Sequence, residues 1–403
     1  MPAFLYVAKN KRGRTVKGQI EAPDEKLALA FLKKRNLTVQ KLKKKPKDLS
    51  ESLPFLKPKI TRKDVVIFTR QFSTMITSGL PLLQGLKILS DQCENPTFKE
   101  VLKDISGSVE GGTSLGEAME KYPAVFDPLY TNLVKAGELG GVLDKTLKRL
   151  ADHMEKAEKL KAKVKGAMVY PIVVIAVAII VIAVIMIFVI PVFEKMFGEM
   201  GAQLPAPTVV VISISRFVKG NIHFIIAGIV LLLFLFKTYR KTKNGRRTTD
   251  ALSLKLPIFG ILLKKVAVAR FTRTLGTMLA SGVPILDSLA IVAKTTGNVI
   301  LEEIILDVRQ SVAEGQGIAP PLSETDVFPP MVVQMIAVGE ATGALDSMLE
   351  KIADFYDEEV DAAVAALTSM MEPLLMVFLG TTIGGLVISM YLPIFKMAGL
   401  IAG

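Results

Sequence analysis

The sequence is poor in the side chains that most catalytic and metal sites use. Its 403 residues include one cysteine, Cys93, and two histidines, His153 and His223. A single thiol excludes an internal disulfide, a CxxC pair and a cysteine–histidine metal cluster. Neither histidine has an obvious nucleophilic or metal-binding partner in the sequence. We therefore expect no catalytic residue, no metal and no cofactor.

A phosphate-binding loop is also missing. The closest pattern, GGTSLGEA from Gly111, has the two-glycine spacing but carries Glu117 where a P-loop requires lysine. A carboxylate there repels phosphate, and no predicted strand leads into the pattern. We expect a turn between helices and a chain that does not hydrolyse nucleotide itself. One metal site stays open at this point, a carboxylate-only site near residues 357–361.

The amino terminus lacks the apolar run of a cleaved signal peptide, since charges begin at Lys9. Residues 1–63 hold 18 Lys and Arg against 5 Asp and Glu, so nearly all of the net charge of +12 lies there. Such a basic head could meet nucleic acid, anionic lipid or an acidic protein face, or could simply keep a soluble domain on the cytoplasmic side. Of these partners we expect no nucleic acid.

Long uncharged runs are what the sequence has instead. Residues 166–193 and 373–395 carry no charge and exceed the roughly 30 Å thickness of a bilayer core when helical. A third run, residues 220–236, is shorter and contains His223, so a buried soluble helix is its alternative. Its core is nevertheless too uniformly apolar for a surface helix. We predict three transmembrane helices, with a short amphipathic interfacial helix within the loop 194–219.

Charged residues orient these spans. Lysines precede the first span and six bases follow the second, whereas the loop between the two spans has few. The positive-inside rule then predicts a cytoplasmic amino terminus and a periplasmic carboxyl terminus. The spans contain no Asp, Glu, Lys or Arg of the kind that marks an ion path, which argues against a transporter.

An internal repeat organises the chain. FTRQFSTMITSGLPLLQGLKIL from Phe68 matches FTRTLGTMLASGVPILDSLAIV from Phe271, and AGELGGVLDKTLKRLADH from Ala136 matches VGEATGALDSMLEKIADF from Val338. We predict an all-α membrane protein with two tandem six-helix cytoplasmic bundles, three transmembrane helices and a small amino-terminal α+β head. The expected segments are a head at 1–45, a linker at 46–60, bundle one at 61–165, span one at 166–193, a periplasmic loop at 194–219, span two at 220–237, a basic connector at 238–263, bundle two at 264–371, span three at 373–395 and a tail at 396–403.

Several residues are suited to contact rather than to chemistry. In the third span Gly380, Gly384 and Gly385 form a small-residue face, which favours close packing against another span or a kink. The membrane-flanking helices of the two repeats carry opposite charge and could pair or be solvated. Gly137-Glu138 and Gly339-Glu340 occupy matching turns, where the carboxylate could cap the following helix or bind a partner. The basic flank of the second span supplies Lys237, Arg240, Lys241, Arg246 and Arg247.

Together these motifs resemble one known family. KVKGAMVYPIVV, the two GE-x-x-G elements, FPPMVVQMIAVGEATGALDSML and the ending EPLLMVFLG...MYLPIF are similar to the PilC/GspF family, the inner-membrane platform proteins of type IV pilus and type II secretion machines. The resemblance covers nearly the whole chain. The sequence MYLPIFKMAGL and the basic head look closer to the pilus branch.

The resemblance implies a platform in the bacterial inner membrane. Its expected partners are a hexameric extension ATPase, a retraction ATPase, pilin subunits, inner-membrane alignment proteins, membrane lipid and a second copy of the chain, with a dimer favoured. ATPase motion would then be coupled to the insertion of pilin into a filament. The alternatives are a type II secretion platform and a membrane adaptor or sensor without a filament role.

Overall fold

The computed structural model describes residues 3–9, 15–21, 29, 31, 33, 38–44, 58–199, 204–257 and 259–401. By compactness the chain divides into two units, Met1–Ile60 with Gln92–Val101 and Thr61–Asp91 with Leu102–Gly403.

The first unit contains a three-stranded antiparallel sheet. Strands β1 (Ala3–Lys9), β2 (Thr15–Glu21) and β3 (Thr38–Lys44) lie in the order β2-β1-β3, with Tyr6 opposite Gly18 and Leu42. These strands agree with the β part of the expected α+β head. Most of the residues between β2 and β3 lie outside the described part of the chain, as does most of the linker 46–60.

Repeat one contributes six helices within the described residues. They are α1 (Arg62–Thr77), α2 (Leu82–Gln92), α3 (Pro96–Glu110), α4 (Leu115–Glu120), α5 (Pro128–Leu139) and α6 (Leu143–Val184). A capping box starts α1, because the Thr61 hydroxyl accepts from the Asp64 amide and the Asp64 carboxylate accepts from the Thr61 amide. Gly79, with φ 83°, follows its end.

Repeat two contributes the matching six. They are α10 (Phe259–Ala280), α11 (Ile285–Thr295), α12 (Val299–Ala313), α13 (Ala319–Ser323), α14 (Pro330–Thr342) and α15 (Leu345–Ile401). The same aromatic pair lies in both bundle cores. Phe68 and Phe126 have ring centroids 6.2 Å apart, and their repeat partners Phe271 and Phe328 are 5.1 Å apart. The duplicated sequence therefore builds a duplicated core.

Among the described residues, three helices are long and apolar enough to cross a membrane. The first begins as α6, continues through a π-helical turn at Ile185–Val189 and ends as α7 (Ile190–Glu199), 57 residues in all. The second is α8 (Ala206–Tyr239) and the third is α15, which runs past the expected end of its span to Ile401. The first and third leave their bundles without a helix break. Helix α9 (Lys243–Lys255) then connects α8 to repeat two.

The predicted interfacial helix lies on the amino-terminal side of a kink in α8. A separate helix was expected within 194–219, followed by a short span at 220–237. Asn221 leaves helical geometry, with φ −116° and ψ 15°, so α8 consists of two helical segments that meet close to the expected boundary.

The first half of α8 packs along the other two spans instead of lying apart from them. The Thr208 hydroxyl donates to the carbonyl of Ser389, and the Ser215 hydroxyl donates to the carbonyl of Met186 in the π-helical turn. A π-helical turn leaves backbone carbonyls without their usual partners, so a hydroxyl there satisfies one of them. The buried apolar residues between the three helices are Ile190, Ile212, Leu386 and Met390.

Candidate functional site

The GE pair of repeat one is a structural clamp. Both carboxylate oxygens of Glu138 accept hydrogen bonds from the start of α4, at 2.6 Å from the Leu115 amide and 2.8 Å from the Gly116 amide. These amides have no partner within their own helix, and a carboxylate also suits the positive end of the helix dipole. The expectation that Glu138 caps the following helix was therefore wrong, since it caps a helix that starts 23 residues earlier.

Repeat two uses the same clamp. Glu340 accepts from the Ile318 amide at 2.5 Å and the Ala319 amide at 3.2 Å, at the start of α13. The glycine before each glutamate serves a different need. A Cβ at Gly137 would lie 2.9 Å from the Cβ of Thr146, and one at Gly339 would lie 2.9 Å from a backbone atom of the next helix. Glycine thus lets the two helices approach closely.

Each repeat also holds an arginine between two carboxylates, which the sequence reasoning missed. In repeat one, Arg70 on α1 pairs with Asp152 at 2.5 Å and Glu155 at 2.6 Å on α6. Hydrogen bonds from Arg70 lower the pKa of Glu155. We call this arrangement the arginine clamp.

In repeat two the clamp consists of Arg273 on α10 with Asp354 at 3.0 Å and Asp357 at 2.5 Å on α15. A signal existed in the sequence. The repeat alignment superposes Arg70 on Arg273 and Asp152 on Asp354.

The opposite charges of the membrane-flanking helices do pair, within one chain. Lys156 Nζ lies 2.9 Å from Asp354 Oδ1, and Lys163 forms an ion pair with Asp361. Burial alone would raise the pKa of Asp354, but hydrogen bonds from Lys156 and Arg273 outweigh it and lower that pKa. The two bundles are thereby joined side by side just before the spans.

These pairings also account for the carboxylates that left a metal site open. Asp357 bonds to Arg273, Glu359 to Lys265 at 2.6 Å, and Asp361 to Lys163. Three carboxylates of this stretch therefore face three separate bases. Within the part of the chain that the structure describes, no group of three or more His, Cys, Asp or Glu side chains gathers as a metal site would require.

A cleft of about 470 Å³ lies between the repeats. It is lined from both sides, by α6 of repeat one and by α10 and the start of α15 of repeat two. His153 lines it, buried, with Nδ1 3.4 Å from the Thr277 hydroxyl. Burial, followed by the positive charges of Arg273, Arg62 and Arg270, lowers the pKa of His153 to about 4. This histidine is neutral at pH 7 and serves the contact between repeats.

The glycine face of the third span is not covered by the chain itself. A Cβ added at Gly380, Gly384 or Gly385 would meet no atom within 4 Å among the described residues. Packing of this face against another span of the same chain, one of the expected uses, is therefore not seen. The face remains open to a second chain.

The basic flank of the second span is partly engaged. Arg240 and Arg246 lie 3.5 and 3.8 Å from the buried carboxylate of Asp250, and Arg247 lies 3.1 Å from Glu303. Lys237 and Lys241 are exposed and have no carboxylate partner in the described part of the chain. Of the five predicted contact residues, Arg240 and Arg246 thus pair with Asp250 inside the connector, and Arg247 ties the connector to bundle two. The other two are free to meet another molecule.

These features define a class of protein. The chain is a multi-pass membrane protein in which two copies of one helical bundle are joined by ion pairs and carried directly on membrane-spanning helices. The family described as type II secretion system (T2SS), protein F, matches residues 68–191 and 271–393, and its N-terminal domain matches residues 1–43.

Full-length relatives extend the match. The chain is 52% identical to the type IV pilus assembly protein PilC of Myxococcus xanthus, over 99% of this chain and 95% of that protein. It is 42% identical to PilC of Thermus thermophilus over the whole of both chains, and 31% identical to type II secretion system protein F of Vibrio cholerae over the same share. The chain belongs to the type II secretion system protein F family.

Proposed function

We propose that this chain is the inner-membrane platform of a type IV pilus assembly machine. The observation that carries the proposal is the 52% identity to a type IV pilus assembly protein over 99% of the chain, against 31–35% to secretion proteins of the same family. The basic flanks place the bundles and the amino terminus in the cytoplasm and the carboxyl terminus in the periplasm. Reporter fusions after Tyr239 and at the carboxyl terminus test this orientation, and equal activity at both sites contradicts it.

The platform transmits work that it does not generate. Its expected partners are a hexameric extension ATPase and a retraction ATPase at the bundles, pilin and alignment proteins at the membrane, and a second copy of the chain. The 57-residue helices that begin at Leu143 and Leu345 support this mechanism, because a continuous helix carries a displacement of a bundle into the bilayer. No catalytic role is proposed, and purified protein that hydrolyses ATP alone would contradict that part.

A deletion strain tests the assignment. Loss of surface pili with pilin still produced is the expected result, and restoration by the wild-type chain is required. Loss of protein export with pili intact would favour the secretion branch instead. Loss of neither would favour an adaptor or sensor.

A flexible insertion tests the mechanical part separately. Inserting Gly-Ser-Gly-Ser between Lys165 and Gly166 interrupts the helix at the membrane entry, on the membrane side of the ion pairs made by Lys156 and Lys163. We expect protein that inserts into the membrane but builds no pili. The same insertion between Gly111 and Gly112, in a turn of bundle one where Gly112 has φ 92°, is the matched control and should leave pili present. Normal piliation with the first insertion contradicts rigid transmission.

The open glycine face is proposed to meet a second copy. Gly384→Leu should reduce cross-linking between chains, because it places a large side chain where close approach is needed. Gly228→Leu is the control, since Gly228 lies in another span and also has open space around it. Equal cross-linking of wild type and Gly384→Leu would exclude this face from the dimer.

A further inference from the structure

The chain returns from the second span to repeat two through a segment of unusual charge. We define residues 237–263 as the return segment, which comprises the end of α8, helix α9 and the start of α10. It contains seven Lys and Arg residues and one carboxylate, Asp250. Positive charge is thus concentrated immediately beside a membrane-spanning helix, where anionic lipid headgroups are attracted most strongly.

Close backbone contacts fix the return segment in place. A Cβ at Gly245 would lie 2.0 Å from the Tyr239 carbonyl oxygen, so α9 begins tightly against the end of α8. A Cβ at Gly260 would lie 2.4 Å from the Leu254 carbonyl oxygen, so α10 begins equally close to the end of α9. Only glycine fits at either turn, and the basic residues between them are held on a rigid support.

The return segment lies level with the surface of the bilayer. Buried Leu262, at the start of α10, belongs to one apolar cluster with Met168 and Met371. Met168 is in the first turn of the first uncharged run, and Met371 stands two residues before the third run begins. A residue that packs between the entry points of two spans is at headgroup depth, and so are its neighbours in the chain.

Much of the charge of the return segment is not neutralised by the protein. Asp250 is buried and already accepts a hydrogen bond from the Val299 amide at 3.0 Å, while also facing Arg240 and Arg246. Lys237, Lys241 and Lys243 are exposed, and the described residues offer them no carboxylate. Before the first span the situation differs, since Lys156 and Lys163 pair with carboxylates of repeat two.

Exposed apolar side chains accompany this charge. Leu252, Leu256 and Ile261 are 60%, 44% and 61% exposed. Apolar side chains beside lysines at headgroup depth are typical of a segment that inserts into the boundary between headgroups and acyl chains. A water-soluble protein partner would explain the charge but would not explain why leucine and isoleucine are exposed at this depth.

We propose that the return segment is a binding site for anionic phospholipid, in which Lys237, Lys241 and Lys243 bind the headgroup and Leu252, Leu256 and Ile261 contact the acyl chains. The proposal does not depend on a role in pilus assembly. It assigns the two unpaired residues of the basic flank, Lys237 and Lys241, to lipid and not to the ATPase.

Fluorescence quenching tests the proposal, because the chain contains no tryptophan. Leu256→Trp places one tryptophan in the return segment of the full-length protein. The protein is reconstituted in nanodiscs that contain brominated phosphatidylglycerol or, at the same mole fraction, brominated phosphatidylcholine. Both leaflets then have one composition, so the orientation of the protein does not matter. We expect brominated phosphatidylglycerol to quench several-fold more effectively, with the preference declining as salt is added.

Two charge variants of equal size complete the design. Lys237→Gln with Lys241→Gln should remove most of the preference for phosphatidylglycerol, since each lysine beside an anionic surface contributes roughly five-fold to binding. Lys145→Gln with Lys148→Gln removes the same charge from exposed positions about 18 or more residues before the first uncharged run, some 27 Å away along the helix, and should leave the preference intact. Equal quenching by both lipids in the starting protein overturns the proposal, and so does an equal loss in the two double variants. Either result would leave the basic residues as determinants of orientation only.

Discussion

The two repeats build the same bundle but use it differently. Each holds an arginine clamp, yet the Arg70 side chain of repeat one is 34% exposed and the Arg273 side chain of repeat two is 10% exposed. Arg273 lines the cleft between the repeats, where its partner Asp354 also binds Lys156 of the other repeat. The contacts inside each repeat were kept after duplication, whereas the contacts between repeats depend on charges that differ between them.

A second pair of equivalent positions shows the same asymmetry. His153 of repeat one is buried against repeat two, and its counterpart Phe355 is exposed. Two copies packed side by side in one chain present different faces to each other. An aligned position can therefore be interface in one copy and surface in the other.

The largest effect that separates the repeats should come from His153. Its pKa is about 4 in the folded protein against 6.5 ordinarily, so above pH 6.5 it contributes no pH dependence. As the pH falls from 6.5 towards 4, the unfolded chain takes up a proton that the folded chain does not. Stability should then decrease by up to about 3 kcal/mol, because one pKa unit corresponds to about 1.4 kcal/mol.

Thermal unfolding in detergent between pH 7 and pH 4 measures this decrease. His153→Leu should remove the part that is due to this side chain, and His223→Leu, in the second span, should not. An unchanged pH profile in His153→Leu would show that other groups cause the decrease.

The next largest effect should come from the loss of Glu138 or Glu340, each of which accepts hydrogen bonds from two backbone amides. The effect should be equal in the two repeats. Glu138→Ala leaves the Leu115 and Gly116 amides without their acceptor, and Glu340→Ala does the same to the Ile318 and Ala319 amides. Unpaired buried donors cost about 1–3 kcal/mol. Chemical denaturation of the purified variants should give similar losses. If only one of the two variants lost stability, the two glutamates would not have equivalent roles.

The arginine clamps should differ, although they look alike. Arg273→Met leaves Asp354 and Asp357 without their shared cation at a partly buried site, which should cost about 1–3 kcal/mol, below the range for fully buried pairs because Asp354 is half exposed. Arg70→Met at the more exposed clamp should cost about 0–1 kcal/mol. Equal losses in the two variants would show that burial of the arginine does not decide the effect.

The smallest effect should come from a single ion pair between the repeats. Lys156→Gln removes an exposed contact with Asp354, and exposed pairs contribute about 0–1 kcal/mol. We expect a change in unfolding midpoint close to the error of measurement, and a double-mutant cycle with Asp354→Asn to give a coupling of the same size. A coupling above about 2 kcal/mol would mean that this pair is far more important than its exposure indicates.

The sequence predicted the features that depend on composition and period. The length of the uncharged runs predicted the first and third spans, and the internal sequence repeat predicted two bundles of six helices. The opposite charges of the helices that carry Lys156 and Asp354 allowed two interpretations, a contact between the repeats or two solvated faces. These signals are carried by side chains or by chain length, so they survive without knowledge of the tertiary structure.

Other features leave no such signal. The donors that bind Glu138 are backbone amides, which have the same chemistry in every residue, so their position 23 residues away could not be inferred. Thr208 and Ser215 likewise bond to backbone carbonyls of the other spans, so the packing of the first half of α8 against them could not be inferred. The partners of the open glycine face lie outside a single chain altogether.

The spacing of the two ion pairs between the membrane-flanking helices sets a condition on any movement. Lys156 and Lys163 are seven residues apart, as are Asp354 and Asp361, so both pairs repeat with the heptad of two parallel helices. Sliding one helix past the other would break both pairs together. A shift along the helix axis by one turn, the smallest that brings the same helix face back into contact, is roughly 5 Å. Because both pairs are exposed and contribute about 0–1 kcal/mol each, they favour this alignment of the two spans without locking it.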